Sequence, residues 1–183
     1  MNVRVINSFQ SVFINQHKKP IVICDIDNTF ICSLQDYQFY YDIYKNEYNL
    51  TNEKYIHYNI KNMMATNIIN GFVKQTDENG FKILLEKIKK QNGKFIFLTS
   101  RSSFSHPKTL NDLKFAKLDY PEQYEIHYTG DQITKANYIY NNNLLFGYNQ
   151  YIFIDDIPMN IDLVKKNPHI ECYLFDYMGV FNF

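Results

Sequence analysis

Asp25 and Asp27 follow an apolar run in the stretch IVICDIDNTF at residues 21–30, and three other places in the chain offer groups that could work with them. The run KFIFL at 94–98 leads into Thr99, Ser100 and Arg101, Lys135 opens a helix-like stretch, and YIFI at 151–154 leads into Asp155 and Asp156. Four carboxylates at one edge would repel one another unless a cation sat among them. Hard oxygen ligands select Mg²⁺, which keeps part of its water shell and pairs naturally with phosphate. Hydroxyls and N–H groups around residues 99–101, with the ammonium of Lys135, are suited to holding the phosphate oxygens.

Such a set needs a rigid mount. The runs at 21–24, 94–98, 151–154 and 172–175 are continuous rather than alternating, so both faces should be covered, as in a parallel sheet between helices. In an open sheet of that kind ligands bind outside the carboxyl ends of the strands, which is where these acids, hydroxyls and Arg101 fall. The helix before KFIFL is well marked: Thr76 as cap, Asp77 and Glu78 in the first turn, Phe81, Leu84, Leu85 and Ile88 on one face, and Lys87, Lys89 and Lys90 near its end. A helix at 110–118, with Thr109 and Asp112 as a capping-box-like pair, a strand at 124–128 and a helix at 134–141 follow. Pro158 opens the last helix, and the Asn-Pro pair at 167–168 stops it.

Two segments stand outside this alternation. Residues 3–15 read as an amphipathic helix through Val5, Phe9, Val12 and Phe13. Residues 34–76 are rich in tyrosine and contain no apolar strand, so they read as a small helical insertion over the carboxyl end of the first strand. Its tyrosines at 37–48 are taken as a packed helix rather than a platform for an aromatic substrate. The expectation is one domain, 1–183, with an α/β doubly wound, three-layer, Rossmann-like parallel sheet and the insertion at 34–76.

The chain has 183 residues, enough for one sizeable core, with 19 Lys plus Arg against 19 Asp plus Glu. That balance provides no bulk field for a polyanion, so nucleic acid is not indicated, although a nucleotide or a polynucleotide end stays within range. The expected partner is a small phosphorylated substrate. Cys24, Cys32 and Cys172 are widely spaced in apolar surroundings and read as reduced core thiols. The first twenty residues lack a signal-peptide core, and no run approaches the ~18–20 apolar residues of a membrane span, so a cytoplasmic protein with no membrane partner is expected.

With these residues in place, the chain resembles the haloacid dehalogenase superfamily of phosphohydrolases. The apolar strand followed by D-x-D-x-T matches at Asp25, Asp27 and Thr29, the strand ending in Thr or Ser at Thr99, the lysine at a helix start at Lys135, and the strand ending in paired acids at Asp155 and Asp156. The resemblance spans roughly residues 20–160 and implies a Mg²⁺-dependent phosphatase with a helical cap. It implies that Asp25 attacks phosphorus to form an aspartyl-phosphate and that Asp27 serves as acid and then base. It also implies metal ligation by Asp25, the Asp27 carbonyl and Asp156, with Asp155 bound through water or orienting Lys135. Thr99, Ser100, Arg101 and Lys135 would bind substrate, and Thr29 would fix the turn.

Other readings stay beside it. A calcium loop is disfavoured because Phe30 occupies the position of the required glycine and a strand precedes it. Neither Cys24 nor Cys32 is followed five residues on by the arginine of a cysteine phosphatase. YTGD at 128–131 competes with YIFIDD for the paired-acid role but precedes Lys135. A phosphotransferase using the same aspartate, and a catalytically silent binding or scaffold module contacting partners through the tyrosine-rich insertion, are the alternatives in function.

Overall fold

Every residue of the run Pro20–Cys24 is buried, and its neighbours in space are two equally apolar strands. The computed structural model describes residues 3–177 apart from 36, 50 and 131; Asp131 of the YTGD stretch therefore lies outside the described residues. In chain order the strands are β1 (Arg4–Ile6), β2 (Pro20–Cys24), β3 (Ile31–Ser33), β4 (Val73–Gln75), β5 (Lys94–Thr99), β6 (Glu125–Tyr128), β7 (Gln150–Asp155) and β8 (Ile170–Phe175). The helices are α1 (Tyr37–Asp42), α2 (Glu53–Ile69), α3 (Glu78–Lys90), α4 (His106–Phe115), α5 (Lys135–Asn141) and α6 (Pro158–Val164).

Six strands form one sheet in the order β1-β8-β7-β2-β5-β6, with every neighbouring pair parallel. Alternate residues of the central strands feed two cores. Val22, Phe97 and Ile154 pack with Phe81 and Leu84 of α3 and Leu113 of α4, whereas Ile23, Leu98 and Phe153 pack with Ile139 of α5 and Ile161 of α6. This is the expected three-layer, Rossmann-like α/β fold, and it explains why the strand runs do not alternate. Phe30, fully buried, ties the segment after β2 to the first core through ring contacts at 4.7 Å to Phe81 and 4.9 Å to Phe97. Each such pair is worth about 0.5–1.5 kcal/mol beyond area burial.

The second sheet is an antiparallel pair of β3 and β4 in which Cys32 faces Lys74. It closes the base of the segment that holds α1, a π-helical turn at Ile43–Glu47, and α2. That segment has its own small core of Tyr40, Ile56, Ile60 and Met64, with Tyr41 and Tyr44 against it. Tyr177 packs against both this cluster and the sheet core. Residues 73–75 are thus a strand where none was expected, because β3 supplies the pairing partner.

The N-terminal segment differs from the helix expected at 3–15. It forms β1 on the edge beside β8, then a 3₁₀ turn at Phe9–Ser11. The apolar spacing is spent differently: Phe9 and Val12 are buried, while Val5 and Phe13 are exposed. A carboxylate elsewhere in the chain decides it. Asp77 Oδ2 accepts from the Ser8 hydroxyl at 2.7 Å and from the Phe9 N–H at 2.9 Å, and Asp77 Oδ1 accepts from the Gly80 N–H at 2.9 Å. Asp77 is therefore the cap of α3, and Thr76 instead donates its hydroxyl to the Thr29 carbonyl at 2.6 Å. Helix α4 begins at His106, earlier than expected, so Thr109 and Asp112 lie inside it and point inward, both buried.

Candidate active site

β2 lies between β7 and β5, and the chain crosses from one side of it to the other, so the crevice between β2 and β7 is the switch point where open α/β sheets bind ligands. Two residues carry the pairing past the strand end. Cys24 stands opposite Ile154, and the Asp25 N–H donates to the Ile154 carbonyl at 2.9 Å, which sets Asp25 beside Asp155. The chain then turns sharply. Asn28 has φ 61°, a left-handed conformation that asparagine tolerates better than most residues, and its N–H donates to the Ile31 carbonyl at 2.7 Å. The turn brings Thr29 back so that its hydroxyl donates to Asp156 Oδ1 at 3.1 Å.

Lys135 is the first residue of α5, whose N-cap Thr134 accepts from the Asn137 N–H. Only 3% of the lysine is exposed. Its Nζ lies 2.5 Å from Asp25 Oδ1 and 2.7 Å from Asp155 Oδ2. Burial alone would lower its pKa, but the charges and hydrogen bonds of Asp25 and Asp155 outweigh that and raise it. Asp155 is held further by the Ile157 N–H at 2.8 Å and by the Asn160 amide, 3.1 Å from each oxygen. Asp155 and Asp25 thus share the Lys135 ammonium.

Three carboxylates, those of Asp25, Asp155 and Asp156, offer oxygens that all lie within 4.8 Å of one another. Burial, opposed by Lys135 and reinforced by Asp155 and Asp156, pushes the Asp25 carboxyl well above its ordinary range. Burial and the neighbouring Asp155 push Asp156 up to about 7, although Thr29 and Lys135 work against them. One lysine faces three acids. A divalent cation among all-oxygen donors fits this imbalance, because a buried charge is tolerated only when paired.

Asp27 takes a separate direction. Its carboxylate receives Arg101 in two hydrogen bonds, Nε to Oδ2 at 2.9 Å and Nη2 to Oδ1 at 2.7 Å. Arg101 Nη1 donates to Asp112 Oδ2 at 2.7 Å and to the Thr109 hydroxyl at 3.2 Å. The arginine side chain is only 12% exposed. Its three nitrogens all have carboxylate or hydroxyl partners in the protein. Thr99 is buried at the end of β5, its hydroxyl oxygen accepting from the Arg101 N–H at 3.2 Å. Ser100 is exposed and, with Ser102, Tyr128 and Thr129, lines a cavity of about 510 Å³.

The structure thus groups Asp25, Lys135, Asp155 and Asp156 tightly and sets Asp27 and Arg101 in an adjoining ion-pair network. Sequence reasoning missed Asn160, the inward roles of Thr109 and Asp112, and the bond from Thr29 to Asp156. Thr29 already stood in the D-x-D-x-T motif and Thr109 and Asp112 read as a capping pair, whereas nothing local marked Asn160. Cys24, Cys32 and Cys172 are all buried, and burial pushes the Cys172 thiol up to about 12.

Fold and site together define a Rossmann-like α/β protein with a carboxylate cluster at the tips of its central strands. The chain belongs to the DUF2608 family, described as a protein of unknown function, whose profile matches residues 3–149. That segment includes Asp25, Asp27, Arg101 and Lys135 and ends before β7. No curated protein matches the sequence significantly. Among solved structures, a chain from the "Structure of Pnkp1/Rnl/Hen1 complex" is similar over 86% of this chain and 47% of that one, at 17% identity and TM-score 0.47. This chain therefore spans about half the length of that relative.

Proposed function

We propose that this protein is a Mg²⁺-dependent phosphatase of the haloacid dehalogenase type that hydrolyses a small phosphomonoester through an aspartyl-phosphate on Asp25. The observation that carries the reading is the meeting of Asp25 and Asp155 on one buried lysine, with an oxygen of Asp156 within 4.8 Å of theirs. Asp25 and Asp156, with the Asp27 carbonyl, are the groups assigned to the metal. When bound, Mg²⁺ would supply positive charge to the phosphate and to the acids around it.

The reaction is a double displacement. A carboxylate oxygen of Asp25 forms a bond to phosphorus as the bond from phosphorus to the ester oxygen breaks, and Asp27 delivers a proton to the departing oxygen. Water then attacks phosphorus, its proton passes to Asp27, and inorganic phosphate leaves while Asp25 is restored. Lys135 offsets the negative charge of Asp25 so that one anion can approach another. Thr99 and Ser100, at the end of β5, are assigned to the phosphate oxygens, and the segment 34–76 is assigned the role of a cap over the strand ends.

The test is release of p-nitrophenol from p-nitrophenyl phosphate by the purified protein, with Mg²⁺ and with chelator. Metal-dependent release that disappears in Asp25→Asn is expected. A well-folded protein without turnover on a broad panel of phosphomonoesters would point to the binding-module alternative.

A further inference from the structure

The ion-pair network behind Asp27 does not stop at Arg101. Asp112, which is nearly buried, also accepts from Lys108 Nζ at 2.5 Å, and the same Nζ donates to the Ile68 carbonyl at 3.3 Å. Ile68 sits in the last turn of α2, where exposed carbonyls and the negative end of the helix dipole favour a cation. Two residues past that helix, Gly71 adopts φ +80° and approaches so closely that a Cβ there would lie 3.2 Å from Asp112 Oδ1. An unbroken chain of polar contacts therefore runs from Asp27 through Arg101, Asp112 and Lys108 to the point where the helical insertion rejoins the sheet.

Resting on the phosphatase reading, we infer that Arg101 is a positioning residue for Asp27, and that Asp112 and Lys108 make the placement of Asp27 depend on how the end of α2 is docked. The fork of the guanidinium fixes the carboxylate plane as well as its distance, which a lysine cannot reproduce. Asp27 leaves the turn after β2 on a half-exposed side chain, and its two oxygens are set by Arg101 alone among the contacts described above. Arg101 in turn is aimed by Asp112 and Thr109, both on α4, one of whose residues touches the insertion. A shift of α2 that draws Lys108 away leaves Asp112 with a different charge balance and moves the guanidinium with it. The segment over the strand ends thereby acts on proton delivery and not only on access.

A residue that positions the proton donor should matter most when the leaving oxygen needs the proton most. The experiment compares kcat/KM for phenyl phosphate, whose leaving phenolate is the more basic, with that for p-nitrophenyl phosphate, in Mg²⁺, for wild type, Asp27→Asn, Arg101→Lys and Lys108→Met. Because kcat/KM covers events up to departure of the leaving group, it includes the step in which Asp27 donates and leaves out hydrolysis of the aspartyl-phosphate. Asp27→Asn is expected to lose about tenfold or more extra on phenyl phosphate, within the usual range of general acid catalysis. Arg101→Lys should show the same selectivity, and Lys108→Met the same in smaller measure. The exposed position of Lys108 makes that variant the safeguard should the buried arginine be needed for folding. Equal losses on both substrates in Arg101→Lys and Lys108→Met would reduce the network to a structural role and overturn the inference, with the phosphatase reading intact. A wild type without turnover on either ester removes both.

Discussion

Lys135 Nζ lies 2.5 Å from Asp25 Oδ1 and is almost fully buried, so the two residues form an ion pair shielded from water at the tips of β2 and α5. The pair is triangular, since Asp155 takes the same ammonium at 2.7 Å. In such a place the ammonium is the counter-charge that the protein itself supplies to an ionised Asp25.

Replacing Lys135 by Met should therefore strand two buried carboxylates. Breaking a buried pair by removing one partner costs about 3–5 kcal/mol, and a loss of that size is expected in urea unfolding at pH 8 in the presence of chelator. The loss should shrink at pH 5, where Asp25, whose carboxyl burial holds well above its ordinary range, can take up a proton instead. A change under about 1 kcal/mol at pH 8 would contradict the buried pair.

Asp156 predicts how metal and pH act on stability. Its carboxyl titrates at about 7 in the fold, against an ordinary value near ~4 in the unfolded chain. The folded state binds this proton more tightly, so its contribution is fully present below pH ~4 and is lost as pH rises to about 7, a span worth roughly 4 kcal/mol. A cation among the acids replaces the proton, so the rise in melting temperature on adding Mg²⁺ should be larger at pH 8 than at pH 5. Thermal melts at the two pH values with and without Mg²⁺ check this; equal shifts would remove Asp156 from the metal site.

Thr29→Val keeps the volume of a fully buried side chain while deleting the hydroxyl that donates to Asp156. Loss of a hydrogen bond to a charged group costs about 1.5–3 kcal/mol. That bond holds the Asp156 pKa down, so the variant should move it further up and weaken Mg²⁺ binding at pH 7 several-fold. Calorimetric titration with Mg²⁺ measures the change, and an unaltered affinity would confine Thr29 to shaping the turn.

Much of the frame was legible because its signals are local. The apolar runs of β2, β5, β7 and β8 announce buried parallel strands by composition, and α3 announces itself by the spacing of Phe81, Leu84 and Ile88. The failures share one cause. Segment 3–15 has helical spacing, yet Ser8 and Phe9 are claimed by Asp77, 69 and 68 positions away. Thr109 and Asp112 look like a capping pair, yet both turn inward to Arg101. Local propensity is a matter of fractions of a kcal/mol per residue, whereas a buried charged hydrogen bond outweighs it.

By itself the sequence determined that β2, β5, β6, β7 and β8 exist and which reactive groups stand at their ends, because a residue's position along a strand also says at which edge of the sheet it emerges. Only the tertiary structure decided how those groups divide. Asp25, Asp155 and Asp156 gather around Lys135, while Asp27 is drawn 74 positions along the chain to Arg101 and from there toward the helical insertion. A carboxylate has no preferred partner in its own sequence; the order β7-β2-β5 sets which cation lies within hydrogen-bond reach, and charge does the rest.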